Sequence, residues 1–340
     1  MLVGYLLMHH YGIVKIKNIK SEWIVKEIII DGVEPECMAV DPFDPKRIYV
    51  GTFNHGLWLS NDSGMTWKQA GKGIGSKRIT SVAVSRSERV RGNGIVWVGT
   101  EPSELYRSED GGKTFEEREA LKSIPSRPTW SFPPRPETHH VRWIEPDRFD
   151  ENVIFLGIEL GGLMRSLDQG ISWEDRKEGS LHDCHMLTMH PHVRDRIYEA
   201  AGGGFAQSRD GGESWMTENK GLGEYQYLVN LLVADDDPNC ILVSASKSAS
   251  QAYRSDTAHT TIFKKTSDGW KRIKSGLPDS EGMTMTSFAH SPVTDGTFYA
   301  VNNKGVFVSH DYGEHWQAVE LDWPEKFESM RVKHMIMPKL

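Results

Sequence analysis

The 340-residue sequence predicts an all-β protein, one seven-bladed β-propeller closed into a ring. Three observations predict it: a turn motif that occurs five times, a spacing of aromatic residues near that of a propeller blade, and a proline that recurs after the first strand of most periods. The motif is S-x-D-x-G-x-[ST]-[WF]. It is intact at Ser60-Asp62-Gly64-Thr66-Trp67, Ser108-Asp110-Gly112-Thr114-Phe115, Ser166-Asp168-Gly170-Ser172-Trp173 and Ser208-Asp210-Gly212-Ser214-Trp215, and a fifth copy, Ser309-Asp311-Gly313-His315-Trp316, differs at His315 alone. At average residue usage one such match is expected roughly once in 10⁶ windows, so five mark a repeat.

Trp270, in a shortened copy, and Trp23, in a degenerate one, complete the series. From Trp23 to Trp316 the aromatic positions are 44, 48, 58, 42, 55 and 46 residues apart. That is the period of a four-stranded blade with two insertions. The second period shows the strands best, over 37–40, 47–51, 56–60 and 66–69: short, β-branched or aromatic runs bounded by Gly, Pro or Asp. The motif is the turn between the third and fourth strands. Its Asp accepts N–H bonds across the turn and its Gly supplies a φ > 0 position.

The first strand of most periods ends in proline, at Pro42, Pro146, Pro191, Pro238, Pro292 and Pro338, with Arg86 in the third. Pro338 follows a strand-like run over 330–337 with no further period behind it, while the chain begins on a second strand over 5–9. The C-terminal run therefore supplies the innermost strand of blade 1, which is built from about 3–28 plus 330–338. This closes the ring and removes exposed edges. One domain over 1–340 is expected.

Composition bounds the partners. The net charge is −7 with 26% charged residues, which disfavours nucleic acid and acidic membrane surfaces. Three cysteines, Cys37, Cys184 and Cys240, without CxxC spacing do not form a disulfide framework. With no basic, apolar leader at the start, a cytoplasmic location is expected.

The motif resembles the Asp-box, or BNR repeat, of bacterial sialidases, xyloglucan hydrolases, sortilin-type receptors and photosystem II assembly factors. The resemblance covers about residues 5–338 and is most similar to the cytoplasmic BNR proteins described as sialidase-like or glycosyl-hydrolase-like. It implies a propeller whose motif turns are structural and lie away from the functional face. Sialidase activity is not expected, because the family's Arg-Ile-Pro segment is absent; the nearest run is Arg78-Ile79-Thr80.

A site is expected where the starts of first strands and the ends of second strands share a rim around the central channel. Seven of the fourteen histidines fall there. Counting six residues back from the strand-ending proline reaches Glu36, His140 and His185, and Glu159 ends the adjacent strand of blade 4. With Arg142 these are the candidate catalytic residues: imidazole and carboxylate for proton transfer, guanidinium for an anionic substrate group. Glu36, Arg78, His139, His182, Tyr225 and Trp130 are candidate substrate-binding residues. His140, His185, Glu36 and Glu159 equally suit a divalent metal ion. A proline-rich insertion over 122–137 and a polar one over 244–260 would wall or cover the site. The expected function is a hydrolase or lyase acting on a small polar or anionic, sugar-like substrate; the alternatives are a non-catalytic assembly propeller and a small-ligand or metal-binding protein.

Overall fold

In the computed structural model, which describes residues 2–20, 22–30 and 32–339, seven antiparallel sheets follow one another around a central channel. Blade 1 consists of Leu2–Met8, Gly12–Ile19 and Glu22–Ile28, with Val332–Ile336 paired inside Leu2–Met8. The C-terminal strand thus closes the ring as expected. Blades 2, 3, 5, 6 and 7 each have four strands, while blade 4 has three, Val141–Pro146, Ile154–Ile158 and Gly162–Ser166, with its fourth position reduced to a bridge between Arg165 and Glu174. Among the described residues no helix is long and apolar enough to cross a membrane.

The second strands are buried on both faces along much of their length, so their sequences run largely apolar rather than alternating. Ile154–Ile158 and Ile197–Ala201 are buried at every position. The core consists of clusters between neighbouring blades. Trp97 of blade 3, for example, packs with Val141 and Leu156 of blade 4.

The five motif turns make one hydrogen-bond set. In blade 2 the Ser60 hydroxyl donates to Asp62 Oδ1 at 2.8 Å and accepts from the Gly64 N–H at 2.8 Å, while Asp62 accepts from the Thr66 N–H and hydroxyl at 2.9 and 2.5 Å. Donation from the Thr66 hydroxyl, then its N–H, holds the Asp62 carboxyl at about 2. Gly212 shows why the third position is glycine. Its φ is +86°, and a Cβ there would come within 2.7 Å of the Phe155 ring of the preceding blade. No motif aspartate lines the channel-mouth cavity described below. Asp168→Ala removes acceptors for the Ser172 N–H and hydroxyl. It is expected to cost about 1 kcal/mol and to leave ligand binding at the mouth unchanged, as thermal melts and a binding titration would record.

Candidate site at the channel mouth

Six blades carry the same irregularity at the start of the innermost strand. The pairing register skips one residue between Pro35 and Cys37, Ile79 and Ser81, Val141 and Trp143, Cys184 and Met186, and Leu228 and Asn230, and again between Val332 and His334 in the closing strand. The skipped residues are Glu36, Thr80, Arg142, His185, Val229 and Lys333. A β-bulge re-aims the side chain of its extra residue, and four of these six are ionisable.

This corrects the proline register. Pro42 and Pro191 lie beyond their first strands, whereas Pro146 lies within one and pairs with Ile154. Counting back from Pro146 therefore overshoots by two. The equivalent of Glu36 and His185 is Arg142, not His140. His140 shares the position two residues earlier with Arg78, Asp183, Tyr227 and Arg331.

A cavity of about 640 Å³ opens where these positions converge. Glu36, His140, Arg142 and Glu159 line it, together with Glu101, Asp183, Tyr227 and Arg331. The 122–137 insertion walls it through Phe132, Pro133, Pro134 and Arg135, and the second insertion forms the short helix Ala249–Tyr253, which presents Tyr253. Below lies a narrower cavity of about 230 Å³ that shares Glu36, Arg142, Tyr253 and Arg331 and adds Lys333.

The ion pairs within the mouth are specific. His140 Nε2 lies 3.1 Å from Glu159 Oε2. Arg142 Nε is 3.6 Å from the same oxygen, too far for a hydrogen bond. Glu36 pairs with Lys333. Burial alone would raise Glu36 and Glu159. For Glu36 the Lys333 ammonium, with Arg142 and Arg331, outweighs burial; for Glu159 the hydrogen bond from His140 and the charge of Arg142 do so, and both carboxyls are held at about 2. Burial and the neighbouring guanidiniums push Lys333 down to about 8 despite Glu36, and burial with Arg331 and Lys333 pushes His9 down to about 2. The carboxyls are thus lowered by neighbouring donors and cations, and the bases chiefly by burial.

His185 sits behind this surface. It is 1% exposed, its Nδ1 is 2.6 Å from the Leu228 carbonyl oxygen, and its ring lies 4.7 Å from that of Tyr227. Arg78 reaches the rim, where it donates to Glu101 at 2.9 Å over the Phe53 ring. Arg135 grips the same carboxylate with two bonds, at 2.8 and 2.6 Å.

The other expected contacts do not converge here. Trp130 is 5% exposed in the core between blades 3 and 4, with its indole N–H on Ser126 Oγ. His139 Nδ1 meets Ser103 Oγ at 2.8 Å, with the His139 ring against the edge of Trp130. His182 is exposed beside Arg176. Tyr225 packs on Phe263 between the cations of Lys247 and Arg272. Packing thus takes up the aromatic and imidazole surface assigned to substrate. The reading from sequence assigned no site role to Asp183, Tyr253, Arg331, Lys333 or Glu101, which the structure brings together. Strand alignment on Gly51, Gly99 and Gly157, which pair directly with Cys37, Ser81 and Trp143, would have found the correct register.

A further buried acid lies close by. Glu199 is fully buried, accepts from the Leu181 N–H at 3.0 Å, and has no partner for Oε1. Burial pushes its carboxyl up to about 8. An acid raised in the folded state contributes stability that is complete below its unfolded value near 4.5 and is lost as pH rises through about 8. Glu199→Gln is therefore expected to gain on the wild type between pH 5 and 8 by on the order of a few kcal/mol. Urea unfolding at both pH values would measure this, and a difference that did not vary with pH would contradict it.

The molecule is thus a seven-bladed β-propeller with an ionisable, aromatic-walled channel mouth. No family model matches the chain. A curated protein of Neosartorya fischeri, named Probable oligoxyloglucan-reducing end-specific xyloglucanase, is 37% identical over 101 residues, which span 27% of this chain and 11% of that protein. The oligoxyloglucan-reducing end-specific xyloglucanase of Emericella nidulans is 25% identical over 174 residues, 46% of this chain and 20% of that one. The matched regions therefore span at most a fifth of the length of these relatives. Among solved structures, the Niastella koreensis GH74 enzyme superposes with a TM-score of 0.64 at 16% identity, covering 96% of this chain and 52% of its own. YCF48 bound to D1 peptide superposes at 0.60 and 15% identity, covering 90% and 92%. At these identities the structural likeness concerns the fold.

Proposed function

We propose that the channel mouth is the active site of a hydrolase acting on a small, anionic, sugar-like substrate. The observation that carries this is a pair of half-buried arginines whose Nε–H donors are unused. The Nε atoms of Arg142 and Arg331 are buried and have no hydrogen-bond acceptor. A buried donor on a charged group is costly to leave unpaired, and an anionic substrate group reaching both would satisfy them in a fork that suits carboxylate or phosphate. The rings of Phe53, Phe132, Tyr227 and Tyr253, all lining the cavity, offer apolar faces for a sugar. Glu159, held ionised by His140 and Arg142, is the group to accept a proton or to stabilise developing positive charge. The xyloglucanase relatives support hydrolysis of a glycoside; the acidic substituent is argued from the arginines alone.

The test is a reducing-end assay on matched neutral and uronate-bearing oligosaccharides. Preferential cleavage of the acidic series is expected, and activity confined to neutral substrates would overturn the reading. A non-catalytic assembly propeller is the second reading, favoured by the near-equal lengths of this chain and YCF48. One stoichiometric protein partner, retained by channel-mouth variants in a protein with no hydrolytic activity, would establish it.

A further inference from the structure

We propose that Glu159, Asp183 and His185 form a binding site for one divalent transition-metal ion, Mn²⁺ or Zn²⁺, at the mouth of the channel. The site shares the cavity of the proposed active site, but the argument stands on donor geometry and does not need the hydrolase reading. One donor atom from each residue lies within 4.8 Å of the other two. An ion about 2.1 Å from each ligand would hold them about 3.0–3.5 Å apart, so binding requires the donors to close by at most about 1–2 Å.

The stronger observation is the hydrogen bonding of His185. A carbonyl oxygen can only accept, so the 2.6 Å contact with Leu228 makes Nδ1 the donor. Nε2 is buried and has no hydrogen-bond partner, and it lies 3.4 Å from Asp183 Oδ2. A metal ion held by both atoms would give the orphaned nitrogen a partner. A backbone carbonyl on the far ring nitrogen is also the usual means of orienting a metal-binding imidazole.

Two neighbours keep the remaining ligands available. His140 and Arg142 both approach Glu159 through Oε2, and among the described residues no ion pair engages Oε1. Gly202, which follows the second strand of blade 5, takes the position that Glu159 holds in blade 4. A Cβ at Gly202 would lie 1.9 Å from Asp183 Oδ2, so the missing side chain is what lets this carboxylate lie beside the imidazole. One nitrogen and two carboxylate donors suit Mn²⁺ or Zn²⁺ better than the all-oxygen shells of Mg²⁺ and Ca²⁺. The set replaces the one read from the proline register: Asp183 enters, while Glu36 is held by Lys333 and His140 by Glu159.

The experiment is calorimetric titration of EDTA-stripped, dialysed protein with MnCl2 and with ZnCl2, against MgCl2 as control. One ion per chain with micromolar affinity is expected for Mn²⁺ or Zn²⁺, weakened at least tenfold in Asp183→Asn and in Glu159→Gln. Nitrogen coupling in the pulsed EPR spectrum of the Mn²⁺-loaded wild type gives a measurement that needs no variant to fold. Absence of saturable one-to-one binding, affinity unaltered in both variants, or a bound ion with no directly coordinated nitrogen would overturn the proposal. A metal-loaded protein inert towards every acidic oligosaccharide would leave this site standing and remove the hydrolase reading; an active enzyme that binds no metal would do the reverse.

Discussion

Deletion of residues 330–340 is expected to unfold the propeller rather than trim it. The segment contains Val332–Ile336, the innermost strand of blade 1. Val332 and Met335 are 0% and 2% exposed and belong to the cluster that joins blade 1 to blade 7. Losing the burial of two such side chains costs about 3–6 kcal/mol. The deletion also bares the ladder edge of Leu2–Met8, whose Leu6, Leu7 and Met8 are fully buried in the closed ring. An open, apolar strand edge invites pairing with other chains. Against a total stability of about 5–15 kcal/mol, the truncated chain is expected to be insoluble or to melt more than 10 °C lower. Met335→Ala keeps the strand and should give a smaller, soluble shift of about 2–5 kcal/mol. An unchanged melting temperature after truncation would show that the ring does not depend on this closure.

The second large effect concerns Arg142. Arg142→Met is expected to lower kcat/KM for an acidic substrate on the order of 10²-fold, the equivalent of one charged hydrogen bond of about 3 kcal/mol. The loss should fall mainly on KM, because in the proposed site the guanidinium would bind the anionic group before and during reaction alike. A neutral analogue of the same sugar should be affected much less. Arg331→Met is expected to behave in the same way, since its Nε is likewise buried without an acceptor. Equal losses on acidic and neutral substrates would instead mean that Arg142 acts through Glu159, 3.6 Å away, and not on the substrate. A melting curve for each variant separates these effects from loss of fold.

The two predictions draw on different kinds of information in the chain. Blade number, motif turns and ring closure were legible because each is a local, repeated device. A motif turn completes its hydrogen bonds within five residues, as from Ser60 to Thr66, and the same residues must recur wherever the turn recurs. The closing strand was legible because a chain that starts on a second strand needs its first from elsewhere. The rim as the place to look, with Glu36, His140, Arg142 and Glu159 on it, followed from the same topology.

What the linear order could not convey was which residues share one height. Proline is a poor ruler, because it is tolerated both at the end of a strand and just beyond it; Pro146 does the first and Pro42 the second. Trp130 and His139 were equally opaque, since an aromatic ring beside a histidine reads the same whether it faces a ligand or a neighbouring blade. The tertiary structure decided both, by bulging six strands at one level and by bringing Asp183, Tyr253 and Arg331 together from distant parts of the chain. Short-range hydrogen bonding leaves its pattern in consecutive residues. Convergence on an axis depends on how far each blade is rotated and where its ladder slips, and that is a property of packing between repeats that no single repeat carries.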